Sequence, residues 1–327
     1  MRSARAHSRR AATLEHELAP HLGEDLTVLI ATLDDPVVEV HTITGLPANG
    51  LGRATFRLVL ASGRVVKGRR LDALADALRI RAVVTALARP ELPRILGQHG
   101  NALLEEWIEG KTIAPGTRTG RARGDRHGDC DPAFLERCGR LLGAIHATPV
   151  PDGFSDGSSW ARRAWDPEAH RSRLEWSVGE LIQAGALSST TAVEVRAVAG
   201  AHLPREVPIG FVHRDFCAEN LVRGRGCGDA PFVVDSGSVG IDALDLDLAR
   251  TWYRWPLRAA DRQAFEKGYR EHRDPSPYVA HFPFWVIAVL TDAALFRIRA
   301  RAARANVPLR RLERLVTEMR RGHIAPR

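Results

Sequence analysis

The chain lacks any apolar run long enough to cross a membrane. The longest uncharged apolar run, Phe282 to Leu290, falls far short of the roughly 18–20 residues that a span needs. No apolar segment follows the arginines of MRSARAHSRRAATLEHELAP. Residues 1–24 are therefore expected to form a basic tail leading into a helix, not a secretory signal, and the expected location is cytoplasmic. Cysteine is scarce: Cys130, Cys138, Cys217 and Cys227 show no C-x-x-C or Cys/His spacing of zinc type. A chain of 327 residues buries enough core to need no disulfide staples, so free thiols and no structural metal are expected. Internal repeats are missing, and the 44% apolar and 26% charged fractions exclude a disordered chain.

Charge, by contrast, is plentiful and uneven. Lys+Arg minus Asp+Glu is 47 − 39 = +8. From Thr291 onward stand Arg297, Arg299, Arg301, Arg304, Arg310, Arg311, Arg314, Arg320, Arg321 and Arg327, against only Asp292, Glu313 and Glu318. A solvated arginine-rich helix and a surface meeting something anionic both fit this pattern.

Apolar and polar residues alternate from Val37 to Arg70 around Gly/Ser/Asn breaks, which predicts an antiparallel meander. Leu71 to Ala88 has helical spacing and is stopped by Pro90 and Pro93, and two further strands follow in LPRIL and NALLEEWIEG. After Gly110 the texture changes. A Gly/Arg/Thr-rich loop (114–131) precedes a helix over Pro132–Ala147, and helical periodicity returns from Ile241 to the C-terminus. The expected fold class is α+β, with a small β-rich lobe (25–104), a connector (105–110) and a larger helical lobe (111–327).

The most informative segment is Val212–Val222, VHRDFCAENLV. It carries H-x-D-x-x-x-x-N as His213, Asp215 and Asn220, and the apolar strand FVVD then ends in Asp235-Ser236-Gly237. Phosphoryl transfer wants these types: one carboxylate to orient the attacking hydroxyl and take its proton, and a second carboxylate with a carboxamide to hold Mg²⁺ against nucleotide phosphates. Gly45, Asn49, Gly50 and Gly52 fall in a turn between strands, where backbone amides can approach phosphates closely. Lys67 in RVVKGRR can aim its ammonium at the α- and β-phosphates, although Arg64, Arg69 and Arg70 compete for that role. In LLEEWIEG, backbone groups of the connector would read an adenine edge.

On the Gly-containing turn with VVKGRR, the connector LLEEWIEG, the helix ending LLGAIHAT, and VHRDFCAENLV with VVDSGSVGIDALDLDLAR, the chain resembles the aminoglycoside phosphotransferase and choline kinase-like small-molecule kinases. The resemblance spans about Thr42 to Arg250. It implies a two-lobed protein-kinase-like fold and ATP and Mg²⁺ as cofactors. It also implies Asp215 as catalytic base, Asn220 and Asp235 as metal ligands, and Lys67, Gly50 and Gly52 on the phosphates. Glu105 and Trp107 would be the adenine-binding backbone, with His213 structural. Three departures stand out. His213-Arg214-Asp215 replaces the family's H-G-D. GIDALDLDLAR leaves Asp245 and Asp247 as rival matches for one structural acid. The position expected to carry the glutamate partner of Lys67 is Ile80, with Asp76 as a substitute one turn earlier. The 12 residues from Asp235 to Asp247 and the lack of A-P-E remove the peptide-docking segment of protein kinases, so the expected acceptor is a small molecule.

A polycationic acceptor calls for acids such as Asp261, Glu266, Glu271, Asp274 and Asp292, whereas the arginine-rich end favours a neutral or anionic one. The runner-up activity is a lipopolysaccharide-core or lipid-linked sugar kinase making peripheral membrane contact through that end. A non-catalytic nucleotide-binding scaffold is a further alternative. Nucleic acid is not an expected partner, because Phe296 is the lone aromatic among those arginines. Cys217 is expected to make the enzyme thiol-sensitive.

Overall fold

The computed structural model describes residues 22–44, 52–113, 131–224, 230–302 and 306–322. It has two compact units: Met1–Lys111 with Val222–Val239, and Thr112–Leu221 with Gly240–Arg327. The first division falls after Lys111. The return of Val222–Val239 to the first unit goes beyond the lobe boundary drawn at 111. Local hydrogen bonds hold it there: Val233 N–H donates to the Glu91 carbonyl, and Arg79 donates to the carbonyls of Gly237 and Val239.

In the first unit, helix α1 (Glu24–Ala31) precedes strands β1 (Val37–Thr44), β2 (Ala54–Leu60) and β3 (Val65–Arg70), then α2 (Leu74–Leu87), β4 (Ile95–His99), β5 (Ala102–Glu106) and the short β6 (Gly110–Thr112). Five strands form an antiparallel sheet in the order β1-β2-β3-β5-β4. Successive side chains along a strand point to opposite faces, and this alternation decides the unit's interior. Phe56, Leu58, Val66 and Leu104 face one way, where Leu26, Leu29 and Ile30 of α1 complete a core. Gly68 lies on this face because space is short: a Cβ there would stand 3.1 Å from Leu58 and 3.3 Å from Leu26. Lys67 and Arg69, the odd members of β3, therefore face the other way.

The second unit contains α3 (Pro132–Ala147), α4 (Pro167–Gln183), α5 (Ser189–Ala201) and β7 (Ile209–Val212). Beyond the return segment, with β8 (Leu221–Gly224) and β9 (Pro231–Val233), come β10 (Gly240–Ala243), α6 (Leu244–Arg254), α7 (Ala259–Arg270), α8 (Ser276–Ala280), α9 (Phe282–Arg299) and α10 (Asn306–Arg320). Asp131 and Asp166 cap α3 and α4 with prolines at the first helical positions, as the start signals in the sequence require. Strands β7 and β10 pair antiparallel, Phe211 opposite Ile241. Helices α3 and α7 cross closely because glycines meet backbone there: a Cβ on Gly139 would fall 1.8 Å from the Phe265 carbonyl oxygen, and one on Gly268 1.8 Å from that of Glu136. This crossing seats Tyr269 against His146. Among the described residues no helix is long and apolar enough to cross a membrane.

Candidate active site

The segment after β7 is fixed by one buried acid. Asp247 of α6, 1% exposed, accepts the backbone N–H of His213 at 2.9 Å and that of Arg214 at 2.7 Å. His146 Nε2 donates to the same carboxylate at 3.1 Å, and His146 Nδ1 lies 2.8 Å from the Tyr269 hydroxyl. Burial works to raise the pKa of Asp247, but the hydrogen bond and charge of His146, with His213 beside it, hold it below the usual carboxylate range. The glycine crossing of α3 and α7 thus reaches the loop through Tyr269, His146 and Asp247. Of the rival acids Asp245 and Asp247, this one holds the loop. Asp245 is buried without such donors, and burial pushes its pKa up to about 7.

Arg214 adopts φ +61°, a region favouring glycine, which explains in physical terms why a glycine suits this position. The arginine is held there by its own side chain. Nε donates to buried Asp242 at 3.0 Å and a terminal nitrogen donates to the Ile241 carbonyl at 2.9 Å.

Asp215 follows, partly exposed. Asn220, on a 3₁₀ turn (Ala218–Asn220), donates from Nδ2 to Asp215 Oδ2 at 3.0 Å and to the Asp215 carbonyl at 2.8 Å. Arg254, at the end of α6, sets Nε 3.3 Å from Asp215 Oδ1. Arg254 is seven residues after Asp247, two helical turns on the same face, so that the helix holding the loop also places a cation on its acid. Burial opposes the charge of Arg254, but Asp215 together with Cys217 and Glu219 more than offsets this, raising its pKa. Cys217 is buried. Its thiol is pushed up to about 12 by burial and by the Asp215 charge, so it stays protonated at neutral pH; the expected thiol sensitivity is corrected to an inert, enclosed sulfhydryl.

In the first unit, cross-strand register brings Lys67 directly opposite Glu105. Their charged atoms lie 3.1 Å apart, Arg69 reaches the same carboxylate at 3.0 Å, and Glu105 is fully buried. Burial alone would raise the pKa of Glu105, but the ammonium of Lys67 and the guanidinium of Arg69 bring it below the ordinary value. The partner of Lys67 is therefore on β5 and not on α2, where Ile80 turns into the core and Asp76 pairs with Arg79 at 3.0 Å. Arg69 extends the chain of charges to Asp235, 3.3 Å away, and Arg53 approaches the same oxygen at 3.8 Å. Asp235 itself turns the backbone at φ +62°.

Gly52 is strained in the sense only glycine tolerates, φ +100°, and its carbonyl accepts Arg70 Nε at 2.6 Å. Gly45, Asn49 and Gly50 lie outside the described residues. Trp107 follows β5 with the Arg57 guanidinium 5.6 Å from its ring centroid. Sequence reasoning missed the side-chain role of Glu105, the contact of Arg69 with Asp235, and Arg254. The last was within reach from the spacing Asp247 to Arg254; the first two depend on strand register, which no local signal fixes.

An antiparallel sheet with a buried lysine–glutamate pair, followed by a helical unit that carries H-x-D-x-x-x-x-N on the loop after β7, defines the protein-kinase-like fold as small-molecule kinases use it. Within that class the chain belongs to the phosphotransferase enzyme family, whose model matches residues 42–278. It is a phosphotransferase. The fold is shared with Plasmodium vivax ethanolamine kinase (13% identity over 91% of this chain and 89% of that one, TM-score 0.64). It is shared as well with a thermostable mutant of the aminoglycoside phosphotransferase APH(4)-Ia in its apo form (16%, 89% and 98%, TM-score 0.61). ADP-bound aminoglycoside phosphotransferase APH(2'')-Ib is similar too (16%, 89% and 97%, TM-score 0.58). At such identities the likeness is one of fold. No curated protein matches the sequence.

Proposed function

We propose that the protein transfers the γ-phosphoryl group of ATP, with Mg²⁺, to a hydroxyl of a small molecule. The observation that carries this reading is the Asp215 carboxylate, partly open to solvent and held on both oxygens, by Asn220 and by Arg254. So oriented, it accepts the proton of an attacking hydroxyl without having to find its rotamer first. The donor set suits Mg²⁺, a hard cation that takes one or two carboxylates and completes its shell with phosphate oxygens. With Nδ2 turned to Asp215, the carboxamide oxygen of Asn220 is the atom left to meet a cation, and Asp235 supplies the carboxylate. When bound, the ion neutralises charge on the phosphates. Lys67, steadied by Glu105, is the protein's own cation for that purpose, and the backbone of Glu105 and Trp107 would hold the adenine. ADP in a solved neighbour supports the nucleotide assignment.

The lipid-linked sugar kinase and the non-catalytic scaffold are weaker. The scaffold reading arose from a missing partner for Lys67, which Glu105 supplies. An acidic cradle for a polycation also finds little support. Asp261 pairs with Arg258, Glu266 with Arg262 and Arg270, Glu271 with Arg140, and Asp292 with Arg173, while Asp274 caps Ser276. These pairings favour a neutral or anionic acceptor.

The test is ADP release from Mg·ATP over a panel of sugars, sugar phosphates, amino alcohols and aminoglycosides, with Asp215→Asn in parallel. One acceptor class should stimulate release, and the variant should lose on the order of 10²–10⁴-fold in turnover with nucleotide binding retained. Full activity in Asp215→Asn would sink the mechanism.

A further inference from the structure

The second unit holds a cavity of about 540 Å³, within the usual range for small-molecule sites. Its walls come from α6, α7, α9, α10 and the turn after α6, and Trp252, Tyr253, Leu290, Arg311, Arg314 and Arg321 are among them. Helix phase separates it from the Asp215 loop. Asp247 and Arg254 occupy the face of α6 that meets the loop, while Ala249, Trp252 and Tyr253, on the other flank, face the cavity.

The lining is apolar along Leu257, Phe282, Val286, Leu290 and Leu315, and cationic at its polar positions: Arg262, Arg311, Arg314 and Arg321, against a single lining acid, Glu318. Two of these cations are held in place. Arg311 lies over the Tyr253 ring at 5.1 Å and donates to the Tyr253 carbonyl at 3.0 Å, and Arg262 lies over Trp252 at 4.5 Å. Arg262 is neutralised by Glu266, and Arg314 approaches Glu318 only at 3.7 Å. The salt bridges include no carboxylate on Arg311 among the described residues, and the arginines near it, Arg314 and Arg297, add to what burial already does in lowering its pKa. Other arginines of this region are spent on acids, Arg299 on Glu180 and Arg320 on Glu194. Three of the ten C-terminal arginines, Arg311, Arg314 and Arg321, thus gather around an apolar hollow.

We propose that this cavity binds an anionic small molecule, one carrying a phosphate or carboxylate group on an apolar or aromatic body. The anion meets the guanidinium of Arg311 with Arg314 and Arg321 around it, and the body lies on the Phe282–Leu290 wall. Stacking has already fixed the Arg311 head, so little ordering entropy is lost on binding. The inference is independent of the phosphotransfer reading, since it uses neither Asp215 nor Lys67.

Calorimetric titration of the full chain with phenyl phosphate and with benzoate tests it, with phenyltrimethylammonium as the cationic counterpart. At about 50 mM salt the anions should bind with Kd below about 1 mM and weaken several-fold at about 300 mM, as screened charges do. The cation should not bind. Arg311→Leu should lower the affinity about tenfold or more, the loss of one charge-assisted hydrogen bond. Because Arg311 also packs on Tyr253, Arg314→Glu is run beside it. Its side chain is 72% exposed, so the fold tolerates the change, and affinity should fall several-fold with the thermal midpoint unchanged. Equal or tighter binding of the cation, no binding of either anion, or unchanged affinity in Arg314→Glu would each overturn the proposal. Asp215→Asn should leave this binding intact, which separates its failure from failure of the transfer reading.

Discussion

Glu105 carries two cations on one fully buried carboxylate, so its loss is felt twice. Replacing it with glutamine leaves Lys67, 12% exposed, without its counter-charge and leaves Arg69, 1% exposed, with Asp235 alone. Breaking a buried pair in this way costs about 3–5 kcal/mol, far above the zero to about 1 kcal/mol expected for a partly exposed pair such as Asp76–Arg79. Glu105→Gln should therefore lower the denaturant midpoint markedly and weaken ATP binding, while Asp76→Asn should do neither. The reverse ranking, measured by urea unfolding and by nucleotide titration, would return the anchor of Lys67 to α2. The same comparison shows what a sequence can carry. Lys67, Asp215, Asn220 and Asp235 could be singled out from the sequence, and are proposed as the site, because phosphoryl chemistry prescribes residue types at short spacings. Glu105 was picked out as well, but for its backbone, because its side chain acquires a partner only when β3 and β5 pair in one register.

Among the elements, α6 bears the most functional weight and contains its own liability. Its first turn holds Asp245 and Asp247 two positions apart, so they point to different surroundings: Asp247 gains His146 and two backbone donors, and Asp245 gains mainly burial. This is why the rival matches were inseparable in the sequence and are distinct in the fold. The sign of the Asp245 effect follows from linkage. Its folded pKa, about 7, is above its unfolded value, so the folded state binds the extra proton. Stability is intact below the unfolded value near 3.8 and falls as pH rises to about 7, after which the loss is complete. His170, whose pKa burial lowers, slopes the other way, so a difference is needed to isolate the acid. Asp245→Asn should match wild type near pH 4 and exceed it at pH 8 by roughly 2–4 kcal/mol, measured by urea unfolding at both pH values. A gap that does not change with pH would show that folding leaves the Asp245 pKa unraised.

At the scale of the whole chain the question is what a net charge of +8 and a sequence pI near 10.0 are for. Read from the sequence, the C-terminal arginines allow a cationic stripe, the footprint of a protein working on an anionic membrane, and each basic residue near such a surface is worth about 1 kcal/mol. The fold distributes them otherwise. Arg299 and Arg320 are taken up by Glu180 and Glu194 from helices far back in the sequence, and Arg311, Arg314 and Arg321 line one concave site. Those partners could not be foreseen, because α4 and α5 meet α9 and α10 only through tertiary packing. With five of these ten arginines paired or turned into a hollow, fewer are left to act together on a flat surface, and the remainder is screened within about 8 Å at physiological ionic strength. Sedimentation with phosphatidylserine-containing vesicles should therefore show, at most, binding at low salt that disappears by about 150 mM. Retention at that salt, lost on charge reversal at Arg310 and Arg314, would restore the membrane-surface sugar kinase as the better account of the acceptor.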